Sequence, residues 1–99
     1  MKKLDPHFMI DLTLYPPAMG GRREPITREG FGCPCRLDET GDTFADCRLY
    51  LSGQRIQPGE TKRVGIRFSF DPAAPLFRSA GKFYLWDGRN IGEAVVVSP

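Results

Sequence analysis

The sequence predicts a small all-β protein, a sandwich or a barrel, made of five or six short strands. Several segments alternate apolar and polar residues with a period of two, which is typical of half-buried strands. The 11 Gly and 9 Pro interrupt the chain at short intervals, as the turns of a many-stranded fold require. No segment keeps a helical period. With 99 residues, the chain is expected to form one domain with a single modest core.

The N-terminal half is predicted to form two strands separated by a long loop. Apolar residues at every second position of residues 8–14 predict the first strand, and the proline pair that follows Tyr15 ends it. Residues 16–30 hold three Pro, three Gly and a cluster of charges, which predict the loop. Residues 31–37 are the second strand, although Gly32 and Pro34 make it irregular or place it at an edge.

The C-terminal half is predicted to supply the remaining strands. Residues 44–51 alternate again, and residues 64–70 are the clearest amphipathic strand, with the apolar side chains at 64, 66, 68 and 70 on one face. Residues 71–80 are expected to be a loop interrupted by proline. Residues 83–85 and 91–97 form the last hairpin. The side chains expected to fill the core are Phe8, Ile10, Leu12, Val64, Ile66, Phe68, Phe83 and Leu85.

The net charge, the arginine content and the lack of a long apolar run indicate which partners and which compartment to expect. The net charge of +2 does not by itself predict nucleic-acid binding. Ten of the fourteen basic residues are Arg, which suits planar phosphate or carboxylate groups or reflects the codon preference of a GC-rich genome. No apolar run approaches the roughly 20 residues of a membrane helix, and no signal peptide is visible. We therefore expect a cytoplasmic protein without membrane association.

Catalytic, metal and nucleotide sites are not expected. Cys33 and Cys35 flank a proline, and only Cys47 and His7 are available to complete a metal site with them. Packing in the core is the preferred interpretation of these thiols, with metal binding and redox chemistry as the alternatives. His7, the sole imidazole, is interpreted as a solvated residue at the start of a strand. The chain has no phosphate-binding Gly-x-x-x-x-Gly-Lys-Ser/Thr loop, so nucleotide binding is not expected.

Several motifs occur in the order found in a known family. They are the segments 19–26 (Met-Gly-Gly-Arg-Arg-Glu-Pro-Ile), 30–31 (Gly-Phe), 38–41 (Asp-Glu-Thr-Gly), 58–60 (Pro-Gly-Glu) and the final hairpin 81–96. In this order and spacing the chain resembles the third domain of elongation factor Tu, the C-terminal β-barrel of the translational GTPase. The resemblance covers nearly the whole chain, with residues 6–97 as its core.

The resemblance implies a small six-stranded antiparallel β-barrel and a contact with RNA. In that family the barrel touches the backbone of aminoacyl-tRNA, and the corresponding positions here are Arg22, Arg23, Asp87 and Gly88. Arg22 and Gly88 keep the family residue, and Asp87 replaces a Glu. The last turn is one Gly shorter than the family pattern.

The function expected from the sequence is non-catalytic binding. A protein partner is the first hypothesis, with Tyr84 and Trp86 as an exposed aromatic pair on the outer wall; the alternative for this pair is packing under residues 71–80. RNA is the second hypothesis, through the loop from Arg22 to Arg28 with Arg89 beside the last turn. The alternative for the loop is surface ion pairing of its arginines with Glu24 and Glu29. The remaining candidate binding residues are Arg23, Arg28, Asp87 and Gly88.

Overall fold

The computed structural model describes residues 4–97 and forms a closed six-stranded antiparallel β-barrel. The order of strands around the barrel is β1-β4-β3-β2-β5-β6. The elements are β1 (Phe8–Leu14), β2 (Gly32–Arg36), β3 (Phe44–Tyr50), β4 (Thr61–Phe68), α1 (Ala73–Ala80), β5 (Lys82–Trp86) and β6 (Asn90–Val96). Sequential strands form the β2–β3, β3–β4 and β5–β6 hairpins, and β1 closes the barrel by pairing with β4 and β6. The predicted fold class is confirmed.

Side chains fill the interior of the barrel. All eight residues expected in the core are buried, as the alternation of period two requires. Three phenylalanines meet in this core: the ring of Phe77 lies 4.8 Å from that of Phe68 and 5.2 Å from that of Phe83, measured between centroids. Because the interior is filled, any binding surface has to lie on the outer wall or on the loops.

The prediction of a loop over residues 71–80 is wrong, since most of this segment forms α1. Its prolines do not break the helix. Pro72 is the N-cap residue and Pro75 lies in the first turn, where a backbone N–H has no intrahelical acceptor. Ala73, Ala74 and Phe77 are buried against the barrel. The helix therefore covers part of the barrel with one apolar face.

Two further expectations fail next to this helix. Phe70 was expected on the apolar face of its strand, but β4 ends at Phe68 and the Phe70 side chain is 67% exposed. His7 was expected to be solvated, but its side chain is only 16% exposed. Its Nδ1 accepts a hydrogen bond from the backbone N–H of Phe68 at 3.0 Å, which leaves Nε2 to donate to Asp71 Oδ1, also at 3.0 Å.

The segment 16–30 is a loop, as predicted, but it is attached to the barrel. Apart from a short 3-10 turn at Pro17–Met19, it contains no helix or regular strand. Ile26 forms an isolated antiparallel bridge with Ile56, and both side chains are buried. This bridge fixes the middle of the loop, between Arg23 and Arg28 in the sequence. None of the helices formed within residues 4–97 is long and apolar enough to cross a membrane.

Candidate binding surfaces

The loop after β1 and the turn between β5 and β6 meet in one cleft of about 350 Å³. We call it the basic cleft; it is lined by Arg22, Arg23, Glu24, Asp87 and Arg89. Two loops far apart in the sequence thus present three guanidinium groups together. The two carboxylates in the same cleft offset part of this positive charge.

Arg89 holds the two sides of the basic cleft together. Its guanidinium donates hydrogen bonds to the backbone carbonyls of Gly20 and Gly21, the second at 3.3 Å. The turn that carries it is closed by the N–H of Asp87, which donates to the Arg89 carbonyl at 2.8 Å. Gly88 in this turn has a φ of 74°, which favours glycine. Arg89 therefore positions the first loop and is not a free cation.

Arg22 and Arg23 differ in how far they are engaged. The Arg22 guanidinium lies 5.1 Å from the centroid of the Phe31 ring, and its Nε donates to the Glu24 carbonyl at 2.9 Å. Arg23 is exposed and has no hydrogen bond or ion pair with any residue in 4–97. Glu29 Oε1 accepts the backbone N–H groups of residues 51 and 52. Among the described residues, Arg22 and Arg23 form no salt bridge with Glu24 or Glu29.

Arg28 does not join the basic cleft. It lines a separate cleft of about 510 Å³ with Phe31, Arg48 and Ser69, over the outer face of the β2–β3 hairpin. Gly32 contributes only backbone to the floor of this cleft. Arg28 thus lines a different cleft from Arg22 and Arg23, and Phe31 borders both sites, since its ring also lies 5.1 Å from the Arg22 guanidinium.

An apolar groove of about 350 Å³ lies beside this second cleft. We call it the aromatic groove; it is lined by Pro34, Phe44, Ala45, Asp46 and Trp86. The Phe44 and Trp86 rings meet edge to face, with centroids 5.1 Å apart. Such a pair exposes two aromatic surfaces at an angle, a shape that accepts an apolar side chain. Phe44 is 41% exposed, so this surface is available to a partner.

Tyr84 and Trp86 both lie on the outer wall but in different surroundings. Tyr84 is half-buried, with the Lys82 ammonium 5.8 Å from its ring centroid, and Lys82 pairs with Glu93 at 3.3 Å. Tyr84 does not line the aromatic groove. Trp86 makes its ring contact with Phe44 and not with the 71–80 segment. Of the expected pair, only Trp86 lines the aromatic groove.

The three cysteines form a contiguous group of free thiols where β2 pairs with β3. The Cys35 thiol donates to the Cys47 sulfur at 2.9 Å, and both residues are buried. Hydrogen bonding to Cys47 and burial raise the pKa of the Cys33 thiol far above its usual range. The hydrogen bond from Cys33 lowers the pKa of Cys47, but the Cys35 contact and burial outweigh it and leave that pKa raised. Neutral thiols of this kind are poor nucleophiles.

Comparison with known proteins assigns the chain to no family. No protein-family model and no curated protein matches it. The likeness to the third domain of elongation factor Tu therefore remains a resemblance of motifs. Among residues 4–97, no group of three or more His, Cys, Asp or Glu side chains is arranged to hold a metal ion. The surfaces have to be interpreted from their own geometry.

The sequence did not lead us to identify Phe44, Arg36 and Arg48 as residues that line or support a surface cleft. A signal for Phe44 was present, because it falls on the polar face of an alternating strand, together with Arg48. An aromatic side chain on that face points away from the core and is therefore at the surface. Arg36 lies with its guanidinium 5.6 Å from the Phe44 ring centroid and donates to the Gly41 carbonyl at 2.8 Å. It supports one wall of the aromatic groove.

Proposed function

We propose that this chain is a non-catalytic binding module that recognises a protein partner in the cytoplasm through the aromatic groove. The observation that carries the proposal is the Phe44–Trp86 pair over Pro34, an apolar surface exposed on the wall of a filled barrel. Large aromatic side chains in a concave apolar surface are the usual energetic centres of protein interfaces. Binding at such a surface depends on burial of apolar area and only weakly on salt.

The state of three side chains that could act as nucleophile or general base, His7, Cys33 and Cys47, supports a non-catalytic role. Both ring nitrogens of His7 are occupied by structural hydrogen bonds to Phe68 and Asp71. The raised pKa values of Cys33 and Cys47 keep their thiols protonated at neutral pH. Neither type of group is therefore poised to attack a substrate or to exchange a proton with it.

Capture of partners from a lysate of the native host tests the proposal. The bait is the wild-type chain, with Phe44→Ser and Trp86→Ser as variants and Leu76→Ser as the matched control, since Leu76 is 49% exposed on α1. We expect a protein that is retained by the wild type and by the control but lost from both groove variants. Ribonuclease should leave this retention unchanged. Equal retention by all four baits, or loss after ribonuclease treatment, contradicts the proposal.

RNA binding through the basic cleft is the second candidate. The observation that favours it is the convergence of Arg22 and Arg23 with the Asp87-Gly88 turn, positions that the resemblance to elongation factor Tu associates with the tRNA backbone. Exposed Arg23 is available to a phosphate oxygen. If both arginines contact phosphates, each should contribute about one unit to the salt slope of binding.

Binding of tRNA at several salt concentrations tests this candidate. We expect the Arg22→Ala/Arg23→Ala variant to bind more weakly and with a salt slope flatter by about two units. The matched control is Arg55→Ala/Arg78→Ala, which removes two exposed arginines outside the basic cleft. No binding of the wild type at low salt, or the same slope for both variants, excludes the basic cleft as an RNA site.

A further inference from the structure

The aromatic groove adjoins the cleft that contains Arg28. Both depressions lie on the outer face of the β2–β3 hairpin, and both are lined by Pro34 and Asp46. They adjoin along the hairpin, with the paired residues Pro34 and Asp46 between them, and we call the two together the extended groove. We call the part lined by Arg28 and Arg48 the cationic end of this groove. It is open because Gly32 has no side chain.

The cationic end of the extended groove carries two guanidinium groups. Arg28 and Arg48 are exposed, and neither has an ion pair with a residue in 4–97. Arg48 Nη1 donates one hydrogen bond, at 3.2 Å, to the Gly30 carbonyl, which orients it toward the cleft and leaves its other donors available. Two guanidinium groups around one depression are complementary to a carboxylate.

The length of the groove limits what can occupy both ends. The neighbouring strand, Gly32–Arg36, covers about 13 Å at roughly 3.3 Å per residue. A short extended peptide of similar length spans this distance with one side chain at each end. The cationic end then takes an acidic side chain, and the Phe44–Trp86 pair takes an apolar one.

We propose that the partner is recognised by an extended peptide segment that carries an acidic residue and, a few positions away, an aliphatic or aromatic residue. This inference rests on the proposed protein-binding function and names the chemistry of the segment. Asp46, which lines both halves of the groove, favours a peptide over single-stranded RNA. A peptide places one carboxylate beside the arginines, whereas RNA carries a phosphate at every nucleotide and would place one against Asp46.

Selection from a library of short random peptides displayed on phage tests the inference. The wild-type chain is the target, and Gly32→Val is used for counter-selection. A Cβ at Gly32 would lie 3.5 Å from Arg48 Nη1, in ordinary contact, and Gly32 does not have a positive φ. The valine therefore adds apolar bulk to the cationic cleft without a change in charge. We expect enriched peptides that pair Asp or Glu with an apolar residue.

The best peptide is then synthesised and its affinity is measured through the fluorescence of Trp86, the single Trp of the chain. Arg28→Gln/Arg48→Gln should weaken binding about tenfold, a loss of about 1.4 kcal/mol, because the carboxylate loses both cations. Arg55→Gln/Arg78→Gln removes two exposed arginines that line neither half of the groove, and should stay within about twofold of the wild type. Thermal unfolding of every variant shows that it is folded.

Several outcomes overturn the inference. Enriched peptides without acidic residues, or an affinity that Arg28→Gln/Arg48→Gln leaves unchanged, refute the acidic anchor while the capture experiment can still succeed. The absence of any enriched peptide also refutes it. Oligouridine that quenches Trp86 and loses affinity in Arg28→Gln/Arg48→Gln shows that RNA is the ligand of this groove. Loss of the captured protein only after ribonuclease treatment refutes the proposed function itself.

Discussion

Gly20 and Gly21 are adjacent and are required for different physical reasons, which makes them a sharp test of the loop geometry. Gly20 has a φ of 86°, and a Cβ added there would meet no atom within 4 Å. A Cβ added at Gly21 would lie 1.8 Å from the Tyr15 carbonyl oxygen and 2.4 Å from its carbon. Both of those atoms belong to the backbone. Alanine at position 21 therefore forces the loop away from the end of β1.

The cost of Gly21→Ala follows from the contacts that this movement disturbs. The Gly21 N–H donates to the Pro16 carbonyl at 3.1 Å, and Arg89 donates to the carbonyls of Gly20 and Gly21. Loss of two of these hydrogen bonds costs about 2 kcal/mol, and the overlap adds about 1–3 kcal/mol. We expect a total of about 3–5 kcal/mol, which lowers the Tm by more than about 12 °C in a domain of this size.

Thermal unfolding followed by circular dichroism measures this effect, and Gly20 supplies the matched control. Gly20→Ala should cost about 1–2 kcal/mol for its left-handed backbone, and Gly20→Asn less, since Asn tolerates that conformation. At position 21, where the obstacle is steric, Asn should be as harmful as Ala. A Tm for Gly21→Ala equal to or above that of Gly20→Ala refutes the reasoning.

Three further predictions concern the core, a surface ion pair and the thiols. Phe68→Ala should cost about 3–5 kcal/mol in urea unfolding, because it removes the ring shared by the aromatic core; a loss below about 1 kcal/mol contradicts the packing. The hydrogen bonds from Arg63 lower the pKa of Asp11, so their stabilisation is present above the unfolded pKa of about 3.9 and is lost as the pH falls through the folded value. The Tm difference between wild type and Asp11→Asn should thus vanish in strong acid; a difference that persists there contradicts this linkage. Elemental analysis of fresh protein should find no stoichiometric zinc, because the raised pKa of Cys33 disfavours the thiolate that zinc requires; zinc lost on Cys33→Ser or Cys35→Ser would show that the thiols are ligands.

The sequence was sufficient for most of the strands and their inward faces, although Phe70 was wrongly placed on the inward face of its strand. In an alternating segment such as Phe8–Leu14, burial of one face determines which side chains point inward, and this requires no knowledge of the partner strand. The segment 71–80 was misread because its two prolines were taken as breakers. The apolar face of Ala73, Ala74 and Phe77 becomes visible only once Pro75 is placed in the first turn.

The binding surfaces were less predictable because they depend on register. Trp86 was singled out from its place on the last hairpin, but its partner Phe44 lies on a strand that is not adjacent in the barrel, with β2 between the two. Nothing local in the sequence brings these rings together. Arg28 was grouped with Arg22 and Arg23 by sequence proximity, but it lines a different cleft, and the bridge between Ile26 and Ile56 lies between them along the chain.

The closure of the barrel also has a consequence for the way the chain folds. Leu12 on β1 faces Lys62 on one side and Ala94 on the other, so the first strand of the barrel pairs only with strands much later in the sequence. Contacts of such long sequence separation slow folding, because the chain between them must be ordered first. During synthesis the local β2–β3–β4 hairpins can form early, while β1 remains without its full set of neighbours. We therefore expect the pairing of β6 with β1 to form late, and mutations that weaken it should lengthen the time during which β1 is open to aggregation.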